Sequence, residues 1–490
     1  MKLYLIGHDR RYAAEQTLLT LFPKERPEYS DGPPFGDRCE LRLSEGEVFV
    51  TCACRLVIDG ATFLAKAAAK KSDMRDSVSE NRLQNRIVKL AFYRAALKSG
   101  VPQPQWGALT GVRPAKLLTG YLEEGLSQTA AVSRLRHEYF VSPERARLCL
   151  ASALAAESAR GSLAPRDICL YVGIPFCPTR CDYCSFVSQS VEKSMALVAP
   201  YLDALMLEIR ATGEAIREAG LRVVSVYMGG GTPTTLSAPQ LSALCGALAA
   251  EFDLSALREY TVEAGRPDTI SEAKLRVLRE HGVTRVSVNP QTMENSVLDA
   301  IGRRHTAEDI LQALALVRSV GGFEVNMDLI AGLTGDSLAG FSRTLDKVLA
   351  LAPENITVHT LSLKKGSRLI SEHDSRLPSA EEVGKMLDLS RSRLCASGYA
   401  PYYLYRQKFM SGGFENVGWC LPLHENLYNI CIMEELCGII SLGAGGSTKL
   451  PGAAGRIRRM TAPKFPHEYI SAIAQTCGEK AQIKEFYNGL

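Results

Sequence analysis

The stretch Tyr171-Val-Gly-Ile-Pro-Phe-Cys177-Pro-Thr-Arg-Cys181-Asp-Tyr-Cys184-Ser-Phe186 sets three cysteines at C-x3-C-x2-C spacing. It follows directly on an apolar run, Ile168 to Ile174, that reads as a buried strand. A loop this tight aims three thiolates at one point. Thiolates are the usual ligands of iron–sulfur clusters, which normally take four. Cys177, Cys181 and Cys184, with no obvious fourth ligand, leave one iron of a 4Fe–4S cluster open to another molecule. A structural zinc site is the competing reading. It wants four closed ligands, usually as two C-x2-C-like pairs, and no second pair lies nearby. The blandest alternative is three small core residues.

Downstream of this loop the chain keeps a strand–helix rhythm. Strands are expected at Cys169–Ile174, Val223–Met228, Glu259–Glu263, Arg285–Val288, Glu324–Ile330 and Ile356–Leu361. Helices are expected between them at Ala199–Ala219, Ala238–Glu251, Ser271–His281, Ala307–Val320 and Leu338–Leu351. Repeated βα units specify an α/β fold, a parallel sheet with right-handed crossovers that is open or closed into a full or partial barrel. In each, ligands gather at the C-terminal ends of the strands. The second strand ends in Gly229-Gly230-Gly231-Thr232, whose bare backbone lets a ligand approach closely. The third ends at Glu263, placed to bind an amine or hydroxyl or, alternatively, to face solvent in a turn. Gln291, Arg303, Arg304 and His305 follow. Asp328 interrupts an otherwise apolar strand, and a buried carboxylate needs a partner.

Residues 1–165 read as a separate N-terminal α+β module. Strands are expected at Leu3–Gly7, Leu41–Leu43, Val48–Cys54 and Leu56–Asp59, and a helix at Tyr12–Leu21. A long helix is expected from Thr62 to about Ser99; its basic residues alternate with Asp73, Asp76 and Glu80, the pattern of a solvated face. Gly161 to Pro165 reads as a linker. The loop Thr110-Gly-Val112-Arg113-Pro-Ala-Lys116 offers two cations of weak significance.

The remaining divisions are 166–380 for the βα region and 381–490 for a C-terminal extension. The latter carries Tyr399, Tyr402, Tyr403, Tyr405, Phe409, Phe414 and Trp419, which serve equally as core or as the wall of a cavity for a flat ring. Arg406, Gln407, Lys408 and Asn416 are candidates for substrate carboxylates. Gly443-Ala-Gly-Gly446 is a further backbone-exposing loop.

The 490 residues are 46% hydrophobic and 22% charged, ordinary for a globular protein. A net charge of +4 is too near neutral to argue for nucleic acid. Fourteen scattered cysteines without a signal peptide read as a reduced, cytoplasmic chain. No apolar run is long enough for a membrane span.

With these residues in view, the chain from about Asp167 to Leu450 resembles radical S-adenosylmethionine (SAM) proteins of the oxygen-independent coproporphyrinogen III oxidase group. The resemblance rests on the cysteine loop, Gly229 to Thr234, Gln291, Gly302-Arg303 and Asn326-x-Asp328-Leu-Ile-x-Gly332-Leu. Arg82, Thr110 to Pro114, and the runs Tyr402 to Gln407 and Glu415 to Gly418 look specifically like HemZ-type coproporphyrinogen dehydrogenases. The resemblance implies a partial (β/α)6 barrel, a 4Fe–4S cluster on Cys177, Cys181 and Cys184, and one or two SAM molecules. Tyr171, Gly230 and Glu263 would contact the first SAM. Tyr183, Gly231, Thr232, Gln291, Arg303 and Asp328 match positions that contact a second.

The implied reaction is oxidative decarboxylation of coproporphyrinogen III propionates by a 5′-deoxyadenosyl radical, giving protoporphyrinogen IX. The implied partners are the tetrapyrrole and an electron donor of the flavodoxin or ferredoxin kind, and the implied state is a monomer. One departure bears on this. The established oxidases of the group carry a fourth cysteine two residues after the third, where this chain has Phe186. Heme-binding relatives, proposed heme chaperones, also lack it. A heme or tetrapyrrole carrier, with His305, His359 or His424 as ligand, is therefore the alternative, beside a radical enzyme for another tetrapyrrole.

Overall fold

A computed structural model describes residues 1–29, 35–111, 113–184, 188–362, 376–407, 413–452 and 456–489, the side chain of Lys193 excepted. Val112, Phe186, Lys408 and Phe409 lie outside the described residues. The chain forms two compact units, Met1–Leu150 with Gly412–Phe414, and Ala151–Ser411 with Glu415–Leu490. The expected linker at 161–165 lies within the second unit.

In the first unit β1 (Lys2–Ile6), α1 (Arg11–Leu21), β2 (Glu28–Tyr29), β3 (Arg38–Glu45), β4 (Phe49–Ile58) and β5 (Ala61–Lys70) precede α2 (Ser77–Lys98). The sheet order is β2-β1-β3-β4-β5. The long helix expected from Thr62 is thereby corrected. Ala61–Lys70 is a strand, paired antiparallel with β4 from Ala61↔Ile58 to Lys70↔Phe49, and the helix begins only at Ser77. Ala67 and Ala69 alternate inward into the core while their neighbours face out. That pairing overrides the helix preference of an alanine- and lysine-rich run. Asp76 caps α2 by accepting from the Ser79 N–H at 2.7 Å. The unit continues with α3 (Ala115–Glu123) and α4 (Gln128–Tyr139), and α5 (Pro143–Gly161) leads into the second.

The second unit opens with β6 (Asp167–Ile174), β7 (Phe176–Cys177), β8 (Gln189–Ser190), α6 (Val191–Glu218) and β9 (Arg222–Gly230). Next come α7 (Ala238–Glu251), β10 (Glu259–Val262), α8 (Glu272–Glu280), β11 (Arg285–Ser287), α9 (Asn295–Ala300), α10 (Ala307–Val320), β12 (Glu324–Ala331), α11 (Leu338–Ala350) and β13 (Asn355–Thr360). Strands β6, β9, β10, β11, β12 and β13 lie side by side in that order, all parallel. This is the expected six-stranded α/β partial barrel. Its strands are buried on both faces, as the helices of βα crossovers require.

The C-terminal extension consists of α12 (Ala380–Ala396), β14 (Ala400–Arg406), β15 (Glu415–Cys420), α13 (Leu427–Glu434), β16 (Gly438–Leu442), β17 (Ser447–Pro451), β18 (Ile457–Thr461), α14 (Pro466–Ser471), α15 (Ile473–Glu479) and α16 (Ala481–Asn488). It completes both edges of the sheet. β15 pairs antiparallel with β13 and carries β14 outside it, while β16 pairs parallel with β6 and carries β17 and β18. No helix among the described residues is long and apolar enough to cross a membrane.

Candidate active site

The C-terminal ends of the barrel strands surround a cavity of about 350 Å³. Cys177, Cys181 and Cys184 line it together with Tyr183, Gly230, Gly231, Thr232, Glu263, Gln291, Arg303 and Asp328. Two expected site residues, Tyr171 and Gly229, stand behind this lining. Tyr171 stacks on Tyr227 at 6.3 Å, which stacks in turn on Tyr428 at 4.5 Å. A Cβ on Gly229 would stand 2.8 Å from the Glu263 carboxylate, so the missing side chain is what lets Glu263 lie against β9.

The cysteine loop is closed at its neck by the short β7–β8 pairing, Phe176↔Gln189 and Cys177↔Ser190. Cys181 is buried at 9% exposure. Arg266 donates to its sulfur at 3.7 Å and to the Thr179 hydroxyl at 3.1 Å, and pairs with Asp268 at 3.1 Å. Arg303 ties the same loop to the end of β11, donating to the Tyr183 hydroxyl at 3.1 Å and the Asn289 carbonyl at 2.6 Å. Two buried guanidinium groups therefore face the thiolate end of the cavity. Burial, reinforced by the charges of Arg303 and Arg266, pushes the neighbouring His305 imidazole down to about 4, so it is neutral at pH 7.

The glycine run presses against this loop. The Gly231 N–H donates to the Ile174 carbonyl at 2.8 Å and the Thr232 N–H to the Phe176 carbonyl at 2.7 Å. A Cβ on Gly231 would meet that Phe176 oxygen at 2.4 Å, one residue before Cys177. Gly231→Ala is expected to displace the loop, lowering stability by about 1–3 kcal/mol through overpacking and cutting iron uptake. Urea denaturation and iron content of the anaerobically reconstituted variant measure both.

Opposite the cysteines stand two half-buried carboxylates. Glu263 accepts from the Tyr227 hydroxyl at 2.6 Å and from the Gly230 N–H at 3.3 Å. Burial, reinforced by the charge of Asp328, pushes its carboxyl up to about 7. For Asp328 burial acts upward too, but His359, Asn326 and Thr357 outweigh it and hold the group below its usual range. His359 Nε2 is 3.8 Å from an Asp328 oxygen, and Asn326 donates to the other at 2.9 Å. Asp328 thus has the partners that a carboxylate inside an apolar strand demands. Gln291 adopts φ +65 beside it, with its N–H on the Asp328 carbonyl and its own carbonyl accepting from Ile330. Such a backbone is uncommon for a residue with a side chain and is held here by this bridge to β12. Its side-chain oxygen is buried with no partner among the described residues, as is Arg303 Nε. An unpaired buried acceptor and donor in a cavity wall are groups that a polar ligand satisfies.

The C-terminal extension supplies the far wall through Tyr403, Tyr405, Gln407, Asn416, Asn429 and Met433. Four of the aromatic residues read as possible wall, Tyr399, Tyr402, Phe414 and Trp419, are buried core outside this lining. Arg406 is also buried outside it, whereas Gln407 and Asn416 are in it. The Gly443 loop packs internally, with the Gly443 N–H on Glu208 at 2.7 Å and the Ala444 N–H on Tyr201 at 3.0 Å. Of the three histidines, only His359 lines the cavity. His424 pairs with Glu324, the first residue of β12, at the opposite end of the strands.

Residues that sequence reasoning passed over are Arg266, Asn289, Tyr227 and Tyr428. Arg266 and Asn289 lie just past strand ends, where the βα rule points but names no residue type.

The Radical SAM superfamily matches residues 171–348, the span from Tyr171 to the end of α11. Over 493 aligned residues the chain is 35% identical to "Oxygen-independent coproporphyrinogen-III oxidase-like protein HemZ" of Bacillus subtilis (strain 168), covering 99% of this chain and 98% of that one. The chain belongs to the radical SAM superfamily, in the HemZ group. It is also 32% identical over 250 residues to the heme chaperone HemW of the same organism, covering 50% of this chain and 64% of HemW. The solved structure of coproporphyrinogen III oxidase (HemN) from Escherichia coli shares the fold at a TM-score of 0.52 and 24% identity, over 66% of this chain and 73% of that one.

Radical SAM proteins use a 4Fe–4S cluster and SAM, and the residues of the cavity fit both. Three thiols from one loop face it. A half-buried carboxyl raised to about 7 suits the ammonium of an amino acid, and the Gln291 oxygen, without a partner among the described residues, suits a hydroxyl.

Proposed function

We propose that this protein converts propionate side chains of coproporphyrinogen III to vinyl groups, yielding protoporphyrinogen IX without oxygen. The observation that carries the reading is the cavity in which a three-cysteine loop, a glycine run and two half-buried carboxylates meet a wall of tyrosines and amides from the C-terminal extension. Similarity to HemZ along almost the whole chain supports it.

In this reading Cys177, Cys181 and Cys184 would hold the cluster, Gly230 and Glu263 would hold SAM beside it, and Tyr171 and Gly229 would back these residues from behind the lining. Glu263 receives the ammonium of SAM and gives up its own proton on binding. Tyr183, Gly231, Thr232, Gln291, Arg303 and Asp328 form the face for a second SAM or for the substrate edge. The chemistry that the bound cofactors supply is one-electron cleavage of SAM and removal of a hydrogen atom from the propionate β-carbon. Carbon dioxide then leaves, and one electron passes to an acceptor to complete the vinyl group. An electron donor of the flavodoxin or ferredoxin class feeds each turnover. The protein's own work is to position these groups and keep water from them.

A second reading is a tetrapyrrole carrier, favoured by Phe186 in place of a fourth cysteine and by the similarity to HemW. One experiment separates the two. The reconstituted protein receives SAM, reductant, an electron acceptor and coproporphyrinogen III under anaerobic conditions. The expected result is protoporphyrinogen IX in fixed ratio to 5′-deoxyadenosine. Tight heme binding with neither product would replace the enzyme reading by the carrier.

A further inference from the structure

Outside the cavity, three cysteines far apart in sequence converge in the second unit. Cys169 lies on β6, Cys431 on α13, and Cys437 directly before β16. All three are buried, and their sulfurs lie within 4.8 Å of one another, with Cys169 and Cys437 at 3.6 Å. Thiolates held about 2.3 Å from one ion stand about 3.8 Å apart in a tetrahedral shell and about 4.0 Å apart in a trigonal one. The observed spacing is that of ligands to a single ion. The shell around them is apolar, including Ala156, Val224, Ile430 and Ile439. Among the described residues no histidine, carboxylate or fourth cysteine joins the group at that reach.

We propose that Cys169, Cys431 and Cys437 form a second metal site, separate from the cluster loop, for one soft monovalent ion of the Cu(I) class in three-coordinate thiolate geometry. The ligand set argues for this class. Structural zinc closes its shell with four ligands, whereas soft sulfur donors in low coordination select Cu(I). A bound ion pins α13 and the strand β16 to the first strand of the barrel, so the site braces the edge that β16 covers.

The test is an anaerobic titration of the full, cluster-loaded chain with Cu(I) against a chromophoric chelator, followed by X-ray absorption at the copper edge. The expected result is one copper per chain with three sulfur neighbours. Cys437→Ala and Cys431→Ser are each expected to weaken binding by more than the ~100-fold that changes around a metal's ligands cost. Cys420→Ala, in the same apolar cluster but outside the triad, is expected to leave it intact. Circular dichroism of each variant separates loss of the ion from loss of fold. Copper that stays bound in both triad variants, zinc taken up in a four-coordinate shell, or a Cys169–Cys437 disulfide in place of a metal would each overturn the assignment.

Discussion

Cys181→Ala is expected to emerge from anaerobic reconstitution without a 4Fe–4S cluster, and its SAM cleavage is expected to fall to background. The loop offers three thiols and the proposed site uses all of them, so losing one would leave two irons without a protein ligand. Cys181 is the most sensitive of the three for a structural reason. It is buried, and its sulfur faces Arg266 at 3.7 Å. Removing it takes the sulfur acceptor from that buried guanidinium and leaves it with Asp268 and Thr179 alone. Iron and sulfide content, with the visible absorbance of the cluster, give the first readout; 5′-deoxyadenosine production gives the second. A variant that kept a full cluster would remove Cys181 from the ligand set.

Glu263→Gln is expected to make the ligand-free protein more stable at pH 8 and a poorer binder of SAM. The carboxyl is raised to about 7 in the folded protein against 4.5 in the unfolded chain, so between these values the folded state holds a proton that the unfolded chain has already lost. Its contribution is fully favourable below pH 4.5, declines as pH rises toward 7, and costs about 3 kcal/mol above that. Glutamine does not titrate and keeps an oxygen for Tyr227 and Gly230. The difference in urea stability between wild type and variant should therefore grow from pH 5 to pH 8 and then level off. Affinity for SAM should fall roughly 10- to 100-fold, the worth of a charge-assisted hydrogen bond. Equal pH profiles for the two proteins would show that Glu263 is not held near neutrality. The residue is a case of stability given up at a site where a ligand's charge is to be received.

The barrel was legible because each of its six strands is a short apolar run between helical patterns, and burial on both faces leaves that signature unmixed. Cys177, Gly230, Glu263 and Asp328 were legible because each stands at or near a strand's C-terminal end with a residue type that packing alone does not require. Arg266 was not. Its role depends on reaching back across the cavity to Thr179 and Cys181, a contact spanning 85 residues of sequence. The triad of Cys169, Cys431 and Cys437 was hidden for the same reason, since 268 residues separate two of its members. In β5 the sequence misled, because alanine and lysine favour helix locally while the pairing with β4 settles the matter at longer range.

The placement of β15 and β16 has a consequence for how the protein is made. The barrel strands run from Asp167 to Thr360, yet among the described residues both edges of their sheet are covered by strands that begin at Glu415 or later. From Thr360 to Leu442 a ribosome must add roughly 80 more residues, about 4–16 s at ordinary elongation rates. Until Cys420 is made the nascent chain presents two bare strand edges, and until Leu442 it still presents that of β6, each a template for pairing with another chain. A premature stop anywhere in this stretch would release a nearly whole barrel as an aggregation-prone product. Ribosome pausing and chaperone supply over these last codons therefore bear on the yield of active protein as directly as the cofactors do.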